Sequence, residues 1–232
     1  MPCYHQMGDK SSNLLFEPEL ESYVGAILSP VNEDFAKVVT LLGRVRSTLP
    51  EMEMIFDPQL YFPTSNRGKL RSWPHFPKDV DSADRSSPAW WTKSNRLLAK
   101  VVSNLQPDCV CSPALVPKVY SNEFYDRMIQ VGDELKAMLA GCSVLQTVIL
   151  SLNDMTAATR PDEVASIISR SSCDRVFLVI VSDVDPRREL SDVEGLKGVM
   201  RLIHLIEGGG QSVLVGFCST DLVVEAKHVV HP

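Results

Sequence analysis

The chain has 232 residues, 44% hydrophobic and 22% charged, with a formal net charge of −6 and a pI near 5.4. That is enough apolar material for one full core, and too acidic a balance for a broad basic footprint on duplex nucleic acid. No apolar run reaches the roughly eighteen residues of a membrane helix, and the opening MPCYHQMGDKSSNLL lacks the charged-then-apolar order of a secretory signal.

Residues 1–22 carry no strong periodicity and read as a tail or a cap. The first apolar run, Tyr23 to Leu28, ends at Ser29-Pro30. Asn32-Glu33-Asp34 then opens a helix, because Asn caps and early acids suit the helix dipole. Phe35, Val38, Val39, Leu42, Val45 and Leu49 recur at helical spacing until Pro50 stops them. The second run, Met52 to Phe56, ends at Asp57-Pro58-Gln59, and a long excursion over about 62–88 follows. Irregular stretches of that length are usually functional or disordered. This one holds Trp73 and His75, with Trp90 and Trp91 just beyond it, whereas a disordered linker is poor in aromatics. It reads as an ordered lid or an excursion packed over the strand ends. A second helix runs from about Ala89 to Leu105.

The third run, Cys109 to Cys111, stops at Ser112-Pro113, and Ala114 to Tyr120 makes a shorter excursion before a helix capped by Ser121 or Asn122. The fourth run, Leu145 to Leu150, ends at Ser151-Leu152-Asn153-Asp154. Thr159-Arg160-Pro161-Asp162-Glu163 then places Pro and acids in a first helical turn. The fifth, Arg175 to Val181, ends at Ser182-Asp183. It is almost wholly apolar, as a parallel strand covered on both faces is. Ser191-Asp192 caps the next helix, Gly208-Gly209-Gly210 ends it, and the sixth run, Ser212 to Phe217, closes at Cys218-Ser219-Thr220-Asp221 before a last helix from Leu222 to about Val230.

Alternation of this kind predicts an α/β fold with a parallel sheet in a single domain over 23–232. All six endings carry side-chain functional groups, and no G-x-G-x-x-G or Walker-type loop follows the first strand, so no nucleotide cofactor fingerprint is present. The pattern over residues 23–230 resembles the TIM-barrel enzymes as a class, and that resemblance implies a ligand site at the rim formed by the strand C-termini. Only six βα units can be counted against the eight of a full barrel. The expectation is therefore an incomplete or truncated barrel, with an open doubly wound sheet as the alternative. Aspartates at strand ends are similar to those of nucleobase-exchanging barrels such as the tRNA-guanine transglycosylases. No motif of that family is matched, so no catalytic residue carries over.

The acidic ring Asp57, Asp154, Asp183, Asp185 and Asp221 is the first chemical candidate. Carboxylates sharing one mouth either shift one another's pKa or bind a cation, which gives acid/base work or a divalent metal site. Asp also caps helices and forms turns, which explains Asp221 and Asp185 locally. Asp57 leads into no helix, and it is assigned the catalytic role with Asp154 and Asp183 in support. Gln59 and Tyr61 follow it at period two, so an extended segment turns all three one way, toward a hydroxylated or heterocyclic ligand; the alternative, slightly favoured, is a loop whose Tyr61 and Phe62 pack on the barrel. Ser112, Asn153, Ser182 and Asp221 are further ligand-binding candidates at strand ends. Arg67 and Trp73, in the run Arg67, Lys69, Arg71, Trp73, His75, interleave cations with aromatics as a phosphate or single-strand contact does, but Asp79, Asp81 and Asp84 dilute the charge and a solvated loop with a tryptophan anchor is the favoured reading.

The six cysteines, Cys3, Cys109, Cys111, Cys142, Cys173 and Cys218, read as small packing residues, which with the missing signal points to the cytoplasm. Cys109 and Cys111 share a strand face, but a zinc site needs two further ligands. Two functions result. One is a barrel-type transferase or hydrolase acting on a small polar, sugar-like or nucleobase-like ligand. The other is a non-catalytic subunit or interaction module of a larger assembly, whose protein partner or second copy covers an open barrel edge.

Overall fold

The computed structural model describes residues 3–8, 11–17, 23–64, 68–182 and 192–217. Arg67, Asp183, Asp185, Cys218, Asp221 and the last expected helix lie outside the described residues. Seven strands form one sheet in chain order: β1 (Tyr4–Gln6), β2 (Gly25–Leu28), β3 (Glu53–Phe56), β4 (Cys109–Cys111), β5 (Ser143–Ser151), β6 (Arg175–Val181) and β7 (Ser212–Gly216). Between them run α1 (Phe35–Thr48), α2 (Pro88–Leu105), α3 (Asn122–Met138), α4 (Arg160–Ile168) and α5 (Val193–Gly208). The pairs β1–β2, β2–β3, β3–β4, β4–β5 and β6–β7 are all parallel. This is the α/β parallel architecture expected from the sequence, with seven strands where the pattern of apolar runs gives six. The extra one, β1, lies in the stretch that reads as a tail or cap. Its three residues, Tyr-His-Gln, offer no apolar run, and long-range contacts hold it: Met7 N–H donates to the Ile27 carbonyl at 3.0 Å, and Tyr4 Oη donates to the Glu53 carboxylate.

The chain packs as two compact units. The first comprises residues 1–116 and 131–145. Strands β2 and β3 are apolar because they are covered on both faces: all four residues of β2 are buried, as are Met54, Ile55 and Phe56 of β3. Pro88 sits at the start of α2, where its missing N–H costs nothing. At the far end Gln106 takes a left-handed conformation, and Arg46 donates to the carbonyls of Leu105, at 2.9 Å, and Gln106.

The excursion between β3 and α2 is ordered where described. Trp73 packs between Phe56 of β3, stacked at 5.4 Å and 20°, and Phe35 of α1, edge-on at 5.4 Å and 82°. Its indole N–H donates to the Glu33 carbonyl at 2.9 Å, and Lys69 pairs with Asp34 at 2.9 Å. That bond holds the Asp34 carboxyl below its ordinary pKa. Gly68, at φ +48°, lets the chain turn onto the loop before α1, where Lys69 N–H donates to the Val31 carbonyl at 2.9 Å and a Cβ on Gly68 would overlap that same carbonyl oxygen. Gly68→Ala is therefore expected to cost about 1–3 kcal/mol. Urea unfolding measures it, with faster hydrogen exchange at the Lys69 amide as the local sign.

The second unit comprises residues 117–130 and 146–232. Its core gathers Val148 and Leu150 of β5, Val176 and Leu178 of β6, and the apolar faces of α4 and α5. Asp192 caps α5 as expected, accepting from Gly195 N–H at 3.0 Å. Gly198 of α5 lies so close to the Met155 carbonyl that no side chain fits between them.

Candidate functional site

The site of interest lies at the C-terminal ends of β2 and β3, within the first unit. Leu28 pairs with Phe56, and the ladder runs one step further, with Asp57 N–H donating to the Leu28 carbonyl at 3.2 Å. Ser29 and Asp57 therefore leave the sheet side by side. Side chains alternate along a strand, so Asp57 shares a face with Ile55 and Glu53, and Ser29 shares it with Ile27 and Gly25.

Asp57 is 1% exposed, Gln59 4%, Tyr61 6% and Ser29 6%. Asp57 Oδ1 accepts from the Gln59 backbone N–H at 2.9 Å and from Tyr61 Oη at 3.0 Å. Ser29 Oγ donates to Gln59 Oε1 at 3.0 Å and accepts from Val31 N–H at 3.3 Å. Asp57, Gln59 and Tyr61 thus come together, but not along an extended segment. Gln59 sits at φ +50°, and the carboxylate gripping its amide two residues on makes an Asx turn. A left-handed glutamine is strained by about 1–2 kcal/mol, which the bonds on both sides of it offset.

His75 supports the turn. It is fully buried, with Nε2 at 3.1 Å from the Pro58 carbonyl. A carbonyl only accepts, so the proton lies on Nε2, and Nδ1 is a bare acceptor with no hydrogen-bond partner. The ring packs edge-on to Phe56 at 5.6 Å and to Trp73 at 5.7 Å. Burial pulls its pKa down from 6.5 to about 4, with the bond to Pro58 opposing the shift, so the imidazole is neutral near pH 7. The sequence offers His75 only as part of a mixed run. Its value is set by burial against Pro58, which no local pattern announces.

Trp73 is buried and anchors the excursion, while the cations beside it turn outward: Lys69 to Asp34, and Arg71 to Asp81 at 3.0 Å. Among the described residues the run makes no interleaved surface; aromatics point in and cations point out. Ser112 is 2% exposed, and the Ile55–Cys109 pairing gives it the parity of Phe56 while Asp57 has that of Cys111. In the second unit, Asn153 is exposed and precedes a short 3-10 turn over Asp154–Thr156. Asp154 is held by Arg160 at 2.9 Å. Arg160 also donates to Asn122 at 2.6 Å, to Glu163 at 3.0 Å and to the Tyr120 carbonyl, so it fastens three segments at once. Ser182 is half-buried just past β6. Among the described residues no group of three or more His, Cys, Asp or Glu side chains is placed to hold a metal ion, and no helix is long and apolar enough to cross a membrane.

No family model matches the sequence, and no curated protein matches it. Solved structures do. A thermostable mutant of a xylanase from Cellvibrio japonicus superposes with a TM-score of 0.50 at 9% identity, covering 92% of this chain and 68% of that one. A mutant of P fluorescens subsp. cellulosa xylanase A in complex with xylopentaose follows with a TM-score of 0.48 at 9% identity, covering 91% and 66%. The chain thus spans about two thirds of the length of those structures. At such identity the likeness concerns the fold alone. Together with seven parallel strands in chain order, it places the chain among α/β folds of the TIM-barrel type.

Proposed function

We propose that the chain is a barrel-type enzyme that acts by group transfer or hydrolysis on a small polar ligand, sugar-like or nucleobase-like, at the strand C-terminal face. Base exchange of the tRNA-guanine transglycosylase kind is one form of that chemistry. The observation that carries this reading is the Asp57 network. Two neighbouring strand ends send a carboxylate, a primary amide, a phenol and a hydroxyl into one buried cluster, where each polar group is costly to desolvate. Two donors on Oδ1 fix the orientation of the Asp57 carboxylate, as general acid/base or nucleophilic work requires. Two-carboxylate glycoside hydrolysis needs a second acid about 5–9.5 Å away. Of the two acids the sequence offers in support, Asp154 is paired with Arg160 and Asp183 lies outside the described residues.

The test is turnover on a panel of chromogenic aryl glycosides and of nucleosides, by wild type and Asp57→Asn. The expected result is activity in the wild type that falls by about 100-fold or more in the variant, whose circular dichroism is unchanged. No turnover by the wild type, or equal turnover by both, overturns the reading. The depth of the cluster, with Asp57 1% exposed, favours a second reading: a polar core in a non-catalytic subunit or interaction module. That reading expects no turnover on any member of the panel.

A further inference from the structure

The first strand ends at a residue the sequence pattern passes over. Gln6 closes β1 and pairs in register with Ile27 of β2, which pairs with Ile55 of β3. Two residues earlier on the same strand, Tyr4 Oη donates to the Glu53 carboxylate across Gly25, whose missing side chain leaves room for the Tyr4 ring. Tyr4 and Glu53 therefore share one face of the sheet, and alternation puts Gln6, Ile27 and Ile55 on that face too. One step further along β2 and β3, the same face carries Ser29 and Asp57. Gln6 is thus the β1 member of the strand-end rim, one side-chain row from the Asp57 cluster.

Its amide is idle. Both Nε2 and Oε1 of Gln6 are buried, and neither has a hydrogen-bond partner. A buried donor and a buried acceptor left unmade together are costly, and native proteins rarely keep both without a use. An apolar residue of similar shape would pack at less cost. We propose that Gln6 is a ligand-binding residue of the strand-end site, and that it recognises an adjacent donor–acceptor edge on the ligand by a pair of hydrogen bonds. This rests on the reading that the strand-end face binds a small polar ligand. It narrows that ligand to a molecule with a donor and an acceptor side by side. The amino edge of a purine has this chemistry, and a glutamine matches it in bidentate fashion. A vicinal diol of a sugar has it as well.

The experiment compares wild type with Gln6→Met, which keeps the length and removes both polar atoms. Adenine, unsubstituted purine and D-xylose are the probes, titrated by calorimetry, and thermal unfolding of both proteins is measured without ligand. The expected result is that wild type binds adenine or xylose, that Gln6→Met weakens that binding about tenfold or more, and that its melting temperature is unchanged or higher. Adenine binding with purine at least tenfold weaker identifies the heterocycle edge; xylose binding identifies the diol. A clear fall in melting temperature means the amide is bonded in the free protein and overturns the inference. Equal binding by both proteins also overturns it, while leaving a ligand site at the strand ends standing. Absence of binding by the wild type to all three probes overturns the ligand class and the inference with it.

Discussion

Asp57→Ala is expected to lower stability by about 2–6 kcal/mol, the sum of two buried donors left without an acceptor. Gln59 N–H and Tyr61 Oη both give their protons to Oδ1 of that one carboxylate, at 2.9 and 3.0 Å. Neither donor reaches water at these depths. The turn itself also loses its clasp, because the amide bond to Oδ1 is what holds Gln59 at φ +50°. Asp57→Asn keeps an oxygen in the Oδ1 position and should keep both bonds, so its loss is smaller than that of alanine. For a chain of this size the alanine loss corresponds to a thermal midpoint lower by about 5–20 °C. Scanning calorimetry of the two variants side by side decides the matter. Equal losses would show that the buried charge, and not the accepted hydrogen bonds, is what the fold depends on. The pair also separates stability from chemistry: asparagine retains the scaffold and removes the ionisable group, so activity lost in Asp57→Asn cannot be laid to unfolding.

Why these roles are only half legible follows from where each is decided. Strand positions are readable because a strand buried on both faces must be apolar throughout. The runs at Cys109–Cys111 and Arg175–Val181 coincide with β4 and β6, and the others shift by one or two residues at their ends. β1 is not readable, because three residues of mixed polarity form a strand only when a neighbour supplies partners, here Glu53 and Ile27. Period-two spacing groups Asp57, Gln59 and Tyr61 correctly, but by the wrong geometry. Left-handed φ is announced by Gly, Asn or Asp, and nothing in the letters Asp-Pro-Gln says that glutamine adopts it. Asp154 shows the opposite limit. An aspartate at a strand end looks the same in sequence whether it faces a ligand or grips an arginine six residues on, and the structure shows it bound to Arg160. Side-chain partnerships at long range are what periodicity does not encode, and His75 depends on them.

Acid should weaken the fold through His75 before it reaches the carboxylates. The folded pKa is about 4, against 6.5 for the free side chain, because burial penalises the imidazolium. Between those values the unfolded chain binds a proton that the folded chain refuses, so the unfolded state holds more protons and stability rises with pH across the window. The contribution is complete above about pH 6.5 and is lost progressively as pH falls toward 4. A pKa lowered that far is worth about 3 kcal/mol over the window. The geometry explains the refusal: Nε2 already donates to the Pro58 carbonyl, so a second proton would go to Nδ1, which is buried without an acceptor beside the rings of Phe56 and Trp73. His75→Phe removes the titration while keeping a flat ring in the same place. Its stability between about pH 7 and 4.5, measured by urea unfolding, should therefore change less with pH than that of the wild type, even if its absolute value is lower for want of the bond to Pro58. His5, whose pKa burial also lowers, titrates in both proteins and cancels in the comparison. Parallel curves would mean that His75 takes up its proton in the folded state as readily as in the unfolded one. The ring would then be hydrated, and the excursion that covers it would not be closed in solution.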